Sequence, residues 1–511
     1  MAAKRPSNSS MFHGGLFLRL LLVVLVSANA ASAGSIVEYL PGYGNLTFKL
    51  ETGFYCFGVD ISNVFKTRPV ALLSSSNDQV DHWVLIGGCI ARDVFGPMEF
   101  DIHNYPGGLP RLLPYKYAWT KTASILFLDA PVGTGFSYST SADGWSSSDT
   151  DSALETYEFL RKWLIEHPKY LPLQLYVGGD SYSGIIVPLV VKHIVDAIDE
   201  HTVPRFNLQG YLVGSPTTDE NINTNAKVVF AHRLALISDE LYEAAKENCN
   251  GNYADVDPSN TKCLSSLGEI QHCVKDLFRN DILEPKCVFE SPEPTRRSLD
   301  EKPGDFILNT PKLEEFWCRN FNYALSYIWA NDESVQEALN VRVGTVKYWS
   351  RCNKSLSYTK DVQSVIDVHR YLSKKQLEVL VEVGDRDLVV PYPGAVEWIR
   401  LLNLTIVSPW RPWFVDGEIA GVQATRLQST IEENVTTCSR DRYFLPEEHL
   451  FFGQTTEWAK LALYFYWPVD VGLRSLLRLG WRFRADTQSH ARGRRFGFEL
   501  GLAGHWAYKW S

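Results

Sequence analysis

Apolar residues along the chain fall into short buried runs separated by amphipathic stretches. Residues 123–129 (Ala-Ser-Ile-Leu-Phe-Leu-Asp) form an apolar run that predicts a strand, closed by the turn-rich Ala130-Pro131-Val132-Gly133-Thr134-Gly135. Residues 152–167 carry apolar positions at helical spacing and lead through Pro172 to a second apolar run, Leu173-Gln174-Leu175-Tyr176-Val177. Residues 185–198 return to helical spacing. Much later, Leu377-Glu378-Val379-Leu380-Val381-Glu382-Val383 alternates and stops at Gly384. Strand, helix, strand, helix is the pattern of an α/β fold with a mostly parallel sheet and helices on both faces. Residues 217–350 interrupt that pattern with charged, cysteine-bearing, helix-like sequence. They are expected to form an inserted helical cap between a first core part, 34–216, and a second, 351–421.

Between the second apolar run and the helix that follows lies Val177-Gly178-Gly179-Asp180-Ser181-Tyr182-Ser183-Gly184. It sets one serine among small residues where a strand meets a helix, the pattern of a nucleophile elbow. A serine on so sharp a turn points out of the sheet, and the turn tolerates only small residues two places before and after it. Gly179 and Ser183 meet that demand, which makes Ser181 the candidate nucleophile. The N–H of the next residue, Tyr182, is the first candidate donor to an oxyanion.

Composition supports a large folded core, since 45% of the 511 residues are hydrophobic and 21% are charged. A net charge of -9 gives the main body no electrostatic reason to bind nucleic acid or an anionic membrane. At the N-terminus, Lys4, Arg5 and Arg19 precede or punctuate residues 16–26, and Ala31-Ser32-Ala33 supplies small residues for cleavage, so residues 1–33 read as a secretory signal peptide. The uninterrupted apolar run, 20–26, is far short of the ~20 residues that a membrane span needs. Sequons at Asn45, Asn353, Asn403 and Asn434 suit a secreted or vacuolar route. Nine cysteines in such a chain imply disulfides with at least one thiol left over, five of them clustered between residues 249 and 318. Their spacings do not pair with histidines as a zinc site would require, and nothing suggests an organic cofactor.

The alternating strand ends in Gly384-Asp385-Arg386-Asp387-Leu388-Val389-Val390-Pro391. An acidic turn closing a strand is a common role for Asp. Following Ser181 in the chain order Ser, Asp, His, however, this turn is also where a hydrolase sheet keeps the acid that orients a catalytic histidine. Asp387 is the candidate, with Asp385 second.

With these motifs in place the chain resembles the serine carboxypeptidase-like family, especially its plant carboxypeptidase and acyltransferase branch. The resemblance rests on Val37-Glu38-Tyr39-Leu40-Pro41-Gly42, Gly96-Pro97-Met98-Glu99-Phe100, residues 129–138, the serine elbow and residues 384–391. It runs from about residue 36 to 421. It implies an α/β-hydrolase fold with a helical cap and a Ser-Asp-His triad on Ser181 and Asp387. It also implies the pairings Cys89–Cys352, Cys249–Cys263 and Cys287–Cys318, leaving Cys56, Cys273 and Cys438 without family partners.

The match departs from the family in two places. Trp83-Val84-Leu85-Ile86-Gly87-Gly88-Cys89 lacks the Pro-Gly of the family's second oxyanion loop, although Gly88 can still offer an N–H and Gly87 is retained beside it for substrate. The histidine segment is absent: matching Pro446-Glu447-Glu448 to its usual continuation puts Ser439 at the histidine position. The absence of any working base is the leading expectation; His505, in Ala503-Gly504-His505-Trp506-Ala507, is the first candidate if there is one, ahead of His449. Residues 422–511 form a divergent tail, strongly basic from 471 on. A solvated face or an altered exon or reading frame would account for it more simply than a binding patch.

Recognition groups would decide between reactions. Asp180 stands where carboxypeptidase members usually carry Glu to hold a peptide carboxylate, and the partner acid is replaced by Val94, with Asp93 one place off. The sequence Gly-Asp-Ser-Tyr-Ser-Gly is more typical of members that pass acyl groups from glucose esters to alcohols or amines. From the resemblance as a whole, the expected function is a secreted serine carboxypeptidase-like hydrolase acting on a small-molecule or peptide acyl substrate. The alternatives are an acyltransferase using glucose esters and a catalytically silent relative.

Overall fold

A computed structural model describes residues 34–58, 65–74, 82–87, 96–121, 123–286, 319–351, 353, 355–415, 418–427 and 443–444. All of them fall within one compact unit, Met1–Phe465. The chain opens on β1 (Ser35–Leu40), β2 (Gly44–Gly58), β3 (Phe65–Ser74) and β4 (His82–Gly87), followed by a small hairpin of β5 (Met98–Phe100) and β6 (Leu112–Pro114). Then come β7 (Ser124–Leu128), β8 (Tyr138–Ser139), β9 (Ser146–Ser148), β10 (Gln174–Asp180) and β11 (Leu208–Gly214). After a helical stretch follow β12 (Ser357–Thr359), β13 (Glu378–Glu382), and the antiparallel β14 (Thr405–Val415), β15 (Glu418–Leu427) and β16 (Tyr443–Phe444).

One sheet carries the order β1-β2-β3-β7-β4-β10-β11-β13, with β8 paired to β3. Its first three strands are antiparallel, and β7, β4, β10, β11 and β13 are all parallel. Parallel strands need long crossovers, and the helices that supply them cover both faces of the sheet. The alternation of side chains along the strands shows this directly. Leu126, Leu128, Leu175, Val177, Tyr211, Val213, Val379 and Val381 enter one core cluster, while Ile125, Phe127, Tyr176 and Leu212 enter a second on the opposite face.

The first face is covered by α1 (Asp149–Glu166), α2 (Ser183–Asp199), and later α8 (Ile366–Leu372) and α9 (Tyr392–Leu401). Ala153, Phe159, Leu160, Trp163 and Leu164 make the buried stripe of α1. Each large side chain of that stripe contributes about 1.5–3 kcal/mol by leaving water. The Ser148 hydroxyl accepts from the Asp151 N–H and caps the helix. Between β11 and β12 the described residues form α3 (Glu220–Arg233), α4 (Asp239–Asn248), α5 (Thr261–Val274), α6 (Arg319–Ala330) and α7 (Glu333–Ala338). Trp329 of α6 packs against the second face. No described helix is long and apolar enough to cross a membrane.

Element limits differ from the sequence reading in two informative ways. The strand before the elbow continues through Gly178 and Gly179 to Asp180, because β4 and β11 pair with those residues from both sides. Pro391 does not close the strand, as a proline soon after it would suggest: β13 already ends at Glu382, and Pro391 leads into α9. Cys249 and Cys263 are disulfide-bonded, with Cα atoms 4.8 Å apart, as the family resemblance implied. Cys273 carries a free, exposed thiol. Cys89, Cys287, Cys318, Cys352 and Cys438 lie outside the described residues, as do the segment 1–33, Asn434 and the basic run from 471.

Candidate active site

At the end of β10 the chain reverses into α2 in two residues. Ser181 takes a left-handed φ of 59° and Tyr182 a right-handed φ of -61°. A non-glycine residue in the left-handed region costs of order 1–2 kcal/mol and persists only where its surroundings hold it there. Here the Ser181 N–H donates to the Gly214 carbonyl (2.8 Å), and its own carbonyl accepts from the N–H groups of Gly184 and Thr217 (3.0 Å each). The need for small residues is equally visible. A Cβ on Gly179 would lie 2.4 Å from the Ser183 Cβ, and one on Gly184 would lie 2.5 Å from the Thr217 carbonyl oxygen.

Asp387 sits in the turn after β13, two strands from β10 and at the same carboxyl-terminal edge of the sheet. Its Oδ1 accepts from the N–H groups of Val389 (2.7 Å) and Val390 (3.1 Å), and the Ser215 hydroxyl also donates to the carboxylate. Ser215 itself is held at φ 34° by an N–H bond to the Glu382 carbonyl (2.6 Å). Since Ser215 follows Gly214, whose carbonyl receives the Ser181 N–H, Ser181 and Asp387 are linked through two consecutive residues at the end of β11. The turn is pinned from outside as well: Leu388 donates to the Arg279 carbonyl (2.8 Å) and Ile282 to that of Arg386 (3.1 Å). Asp385 belongs to the same turn.

A second acidic feature was not foreseen. Asp180, Gly214 and Glu382 are register partners across β10, β11 and β13, so their side-chain directions share one face of the sheet. Gly214 has no side chain, and Asp180 Oδ1 lies 2.6 Å from where its Cβ would be. The two carboxyls therefore occupy neighbouring space. Although each keeps some exposed surface, the surrounding protein desolvates them. Burial, and next the charge of Asp387, push Asp180 up to about 7. Burial and then Asp180 raise Glu382 well above the usual carboxylate range. Asp387 is also raised by burial, against the opposing pull of its amide and hydroxyl donors and of Lys227. The only sequence signal for Glu382 was a charged residue at the end of an otherwise apolar alternation.

Gly87, the substrate-side candidate, ends β4 directly across from Gly179 of the elbow. Gly88, Asp93, Val94, Ser439, His449 and His505 lie outside the described residues. The described groups that bond or lie close to Asp387 include Ser215, the amides of Val389 and Val390, Lys227 and Asp180. His369 is deep in the core, with Nδ1 2.7 Å from the Tyr211 hydroxyl and its ring stacked on Trp398. A serine on a strained elbow and a carboxylate held by several donors at the same sheet edge are two of the parts that acyl transfer requires.

Known proteins resemble the chain over most of its length. The serine carboxypeptidase family profile matches residues 93–436, past the point where the sequence resemblance faded but short of Ser439, His449 and His505. Serine carboxypeptidase-like 16 of Arabidopsis thaliana is 40% identical over 417 residues, a span covering 80% of this chain and 90% of the relative. Serine carboxypeptidase-like 17 of the same plant is 40% identical over 414 residues, covering 79% and 88%. Among solved structures, Kex1Δp, a prohormone-processing carboxypeptidase from Saccharomyces cerevisiae, superposes with a TM-score of 0.59 at 16% identity, over 88% of this chain and 95% of that one. At that identity the likeness speaks for the fold alone, which is the α/β-hydrolase fold. The family match over more than half of the chain and the relatives at 40% identity lead to one conclusion: the chain belongs to the serine carboxypeptidase family.

Proposed function

We propose that the chain is a serine carboxypeptidase-like hydrolase that forms an acyl-enzyme on Ser181. The observation that carries this reading is the left-handed elbow at Ser181, joined through Gly214 and Ser215 to the turn that holds Asp387. In the reaction, Ser181 Oγ attacks an acyl carbon while a base takes its proton. Asp387 orients that base and favours its charged form. His505 is the candidate for the base. The N–H of Tyr182 faces the developing oxyanion, with Gly88 as the candidate second donor and Gly87 and Asp180 beside the substrate. The described helices between β11 and β12 belong to the inserted segment 217–350, the candidate cap. Exposed sequons at Asn45 and Asn403, the Cys249–Cys263 disulfide and the N-terminal segment 1–33 support routing through the secretory pathway to the vacuole or cell exterior. At the third described sequon, the Asn353 amide already donates to the Gly133 carbonyl (3.0 Å).

A second reading, transfer of the acyl group to an alcohol, is favoured by one specific feature. The short Asp180 side chain lies back over Gly214 beside Glu382, a poor posture for gripping a peptide carboxylate.

Labelling with a fluorophosphonate tests the nucleophile. Wild-type protein is expected to react fast and the Ser181→Ala variant not at all. Labelling no faster than at an ordinary surface serine would overturn the enzymatic reading in favour of a silent relative. Blocked dipeptides and an acyl glucose plus an alcohol, offered to the reactive protein, separate hydrolysis from transfer.

A further inference from the structure

Asp149, the first residue of α1, is fully buried and collects donors from two distant parts of the chain. Its Oδ1 accepts from the hydroxyls of both Tyr182 (2.9 Å) and Tyr358 (2.8 Å), and its Oδ2 accepts from the Val362 N–H (3.0 Å). Tyr182 is the single residue between the left-handed Ser181 and α2. Its amide is one that no helical carbonyl can take, because it precedes the first turn. Tyr358 and Val362 belong to a strap, residues 357–365, that runs along this edge of the site. The strap begins as β12, paired in parallel with β9 just ahead of Asp149. Asp361 then accepts from the Thr150 N–H (3.2 Å), and Lys360 lies 4.6 Å over the Tyr182 ring while pairing with Glu220 (3.0 Å). The strap ends with Val365 donating to the Thr218 carbonyl (2.9 Å), next to Thr217, which itself donates to Ser181.

We propose that Asp149 is a positioning residue for the oxyanion donor: by tying the Tyr182 side chain to Tyr358 and to the Val362 amide, it holds the peptide whose N–H meets the developing charge. The inference rests on reading Ser181 as the nucleophile. Rotation of the Tyr182 peptide is the motion by which Ser181 could relax out of its left-handed conformation, and the phenol anchored on Asp149 opposes that rotation. Both hydroxyls remain donors across the working pH range, because burial and then the bond to Asp149 raise each phenol far above its ordinary value.

The test combines steady-state kinetics on an activated ester with amide hydrogen exchange, using Asp149→Asn and, as the milder change, Tyr358→Phe. The asparagine keeps an acceptor for the phenols but turns an NH2 toward the Val362 N–H. The phenylalanine keeps the ring and removes one hydroxyl. In Asp149→Asn, kcat is expected to fall roughly 10- to 100-fold with KM within about twofold, as a displaced donor should produce. Exchange in the elbow peptide, residues 178–186, should quicken at least about tenfold in both variants, while α9 keeps its protection. Should Asp149→Asn fail to fold, Tyr358→Phe carries the same readouts with a smaller change in kcat. Unchanged elbow exchange in a folded variant, or a rise in KM with kcat intact, overturns the proposal. A wild-type protein that neither turns over nor labels overturns the acyl-enzyme reading, while the exchange rates still decide whether Asp149 holds the elbow.

Discussion

Two serines in the left-handed region, Ser181 at φ 59° and Ser215 at φ 34°, stand at the ends of adjacent strands, and each is fixed by backbone bonds to the next strand over. Strain at these positions is tolerable because the carbonyls of Gly214 and Glu382 fall where the two N–H groups point. It also leaves no room for added volume. Gly184→Ala is expected to cost about 1–3 kcal/mol, since its methyl would meet the Thr217 carbonyl and Pro216, which cannot swing aside as a flexible side chain could. Denaturant unfolding of the variant checks this; a cost within error of zero would show that the turn is looser than its contacts suggest. The elbow was legible in the sequence because its constraint is local: small residues must flank one serine. Asp149 and Glu382 were not, because each acquires its role from groups far away in sequence, Tyr358 and Val362 for the one and Asp180 for the other.

At the scale of elements, β10 shows how neighbours override local preference. Gly178 and Gly179 weaken a strand in isolation, yet pairing with β4 and β11 on both sides carries it to Asp180, which places Ser181 at the edge. The α4–α5 pair shows a covalent counterpart, with Cys249 at the end of α4 joined to Cys263 in the first turn of α5. Closing a loop with a sequence separation of 14 contributes roughly 3 kcal/mol by restricting the unfolded chain. Replacing both cysteines by alanine should therefore lower the denaturant midpoint and speed amide exchange in residues 239–274. Equal exchange in the two proteins would mean that Ala245, Ile270 and Val274 hold this pair of helices by packing alone.

For the whole molecule, buried ionisable groups pull stability in opposite directions with pH. Asp180, at about 7 in the fold against an ordinary 3.8, holds its proton more tightly folded than unfolded. Its contribution is complete below about pH 4 and is lost as pH rises toward 7, and Glu382 acts in the same sense from its ordinary 4.5 upward. His369 is held neutral in the core, lowered by burial to about 3 from 6.5. Its contribution is complete above pH 6.5 and is lost as pH falls toward 3. Melting temperatures measured from pH 3.5 to 8 should show Glu382→Gln flattening the alkaline limb and His369→Asn flattening the acid limb. Parallel curves for wild type and variants would refute the assignment of those limbs to these groups.

The fold class and the sharp turn at Ser181 were legible in the chain alone, and Asp387 could be named as the candidate acid, because periodicity, residue size and chain order are properties of short segments. Tertiary structure alone decided what stands around them. Parallel strands brought Asp180, Gly214 and Glu382 into one row, Ser215 was set between Ser181 and Asp387, and the strap 357–365 was laid over the buried carboxylate of Asp149. Such neighbours come from segments up to 213 residues apart, and the strand register that sets them side by side is written in no single stretch of the chain.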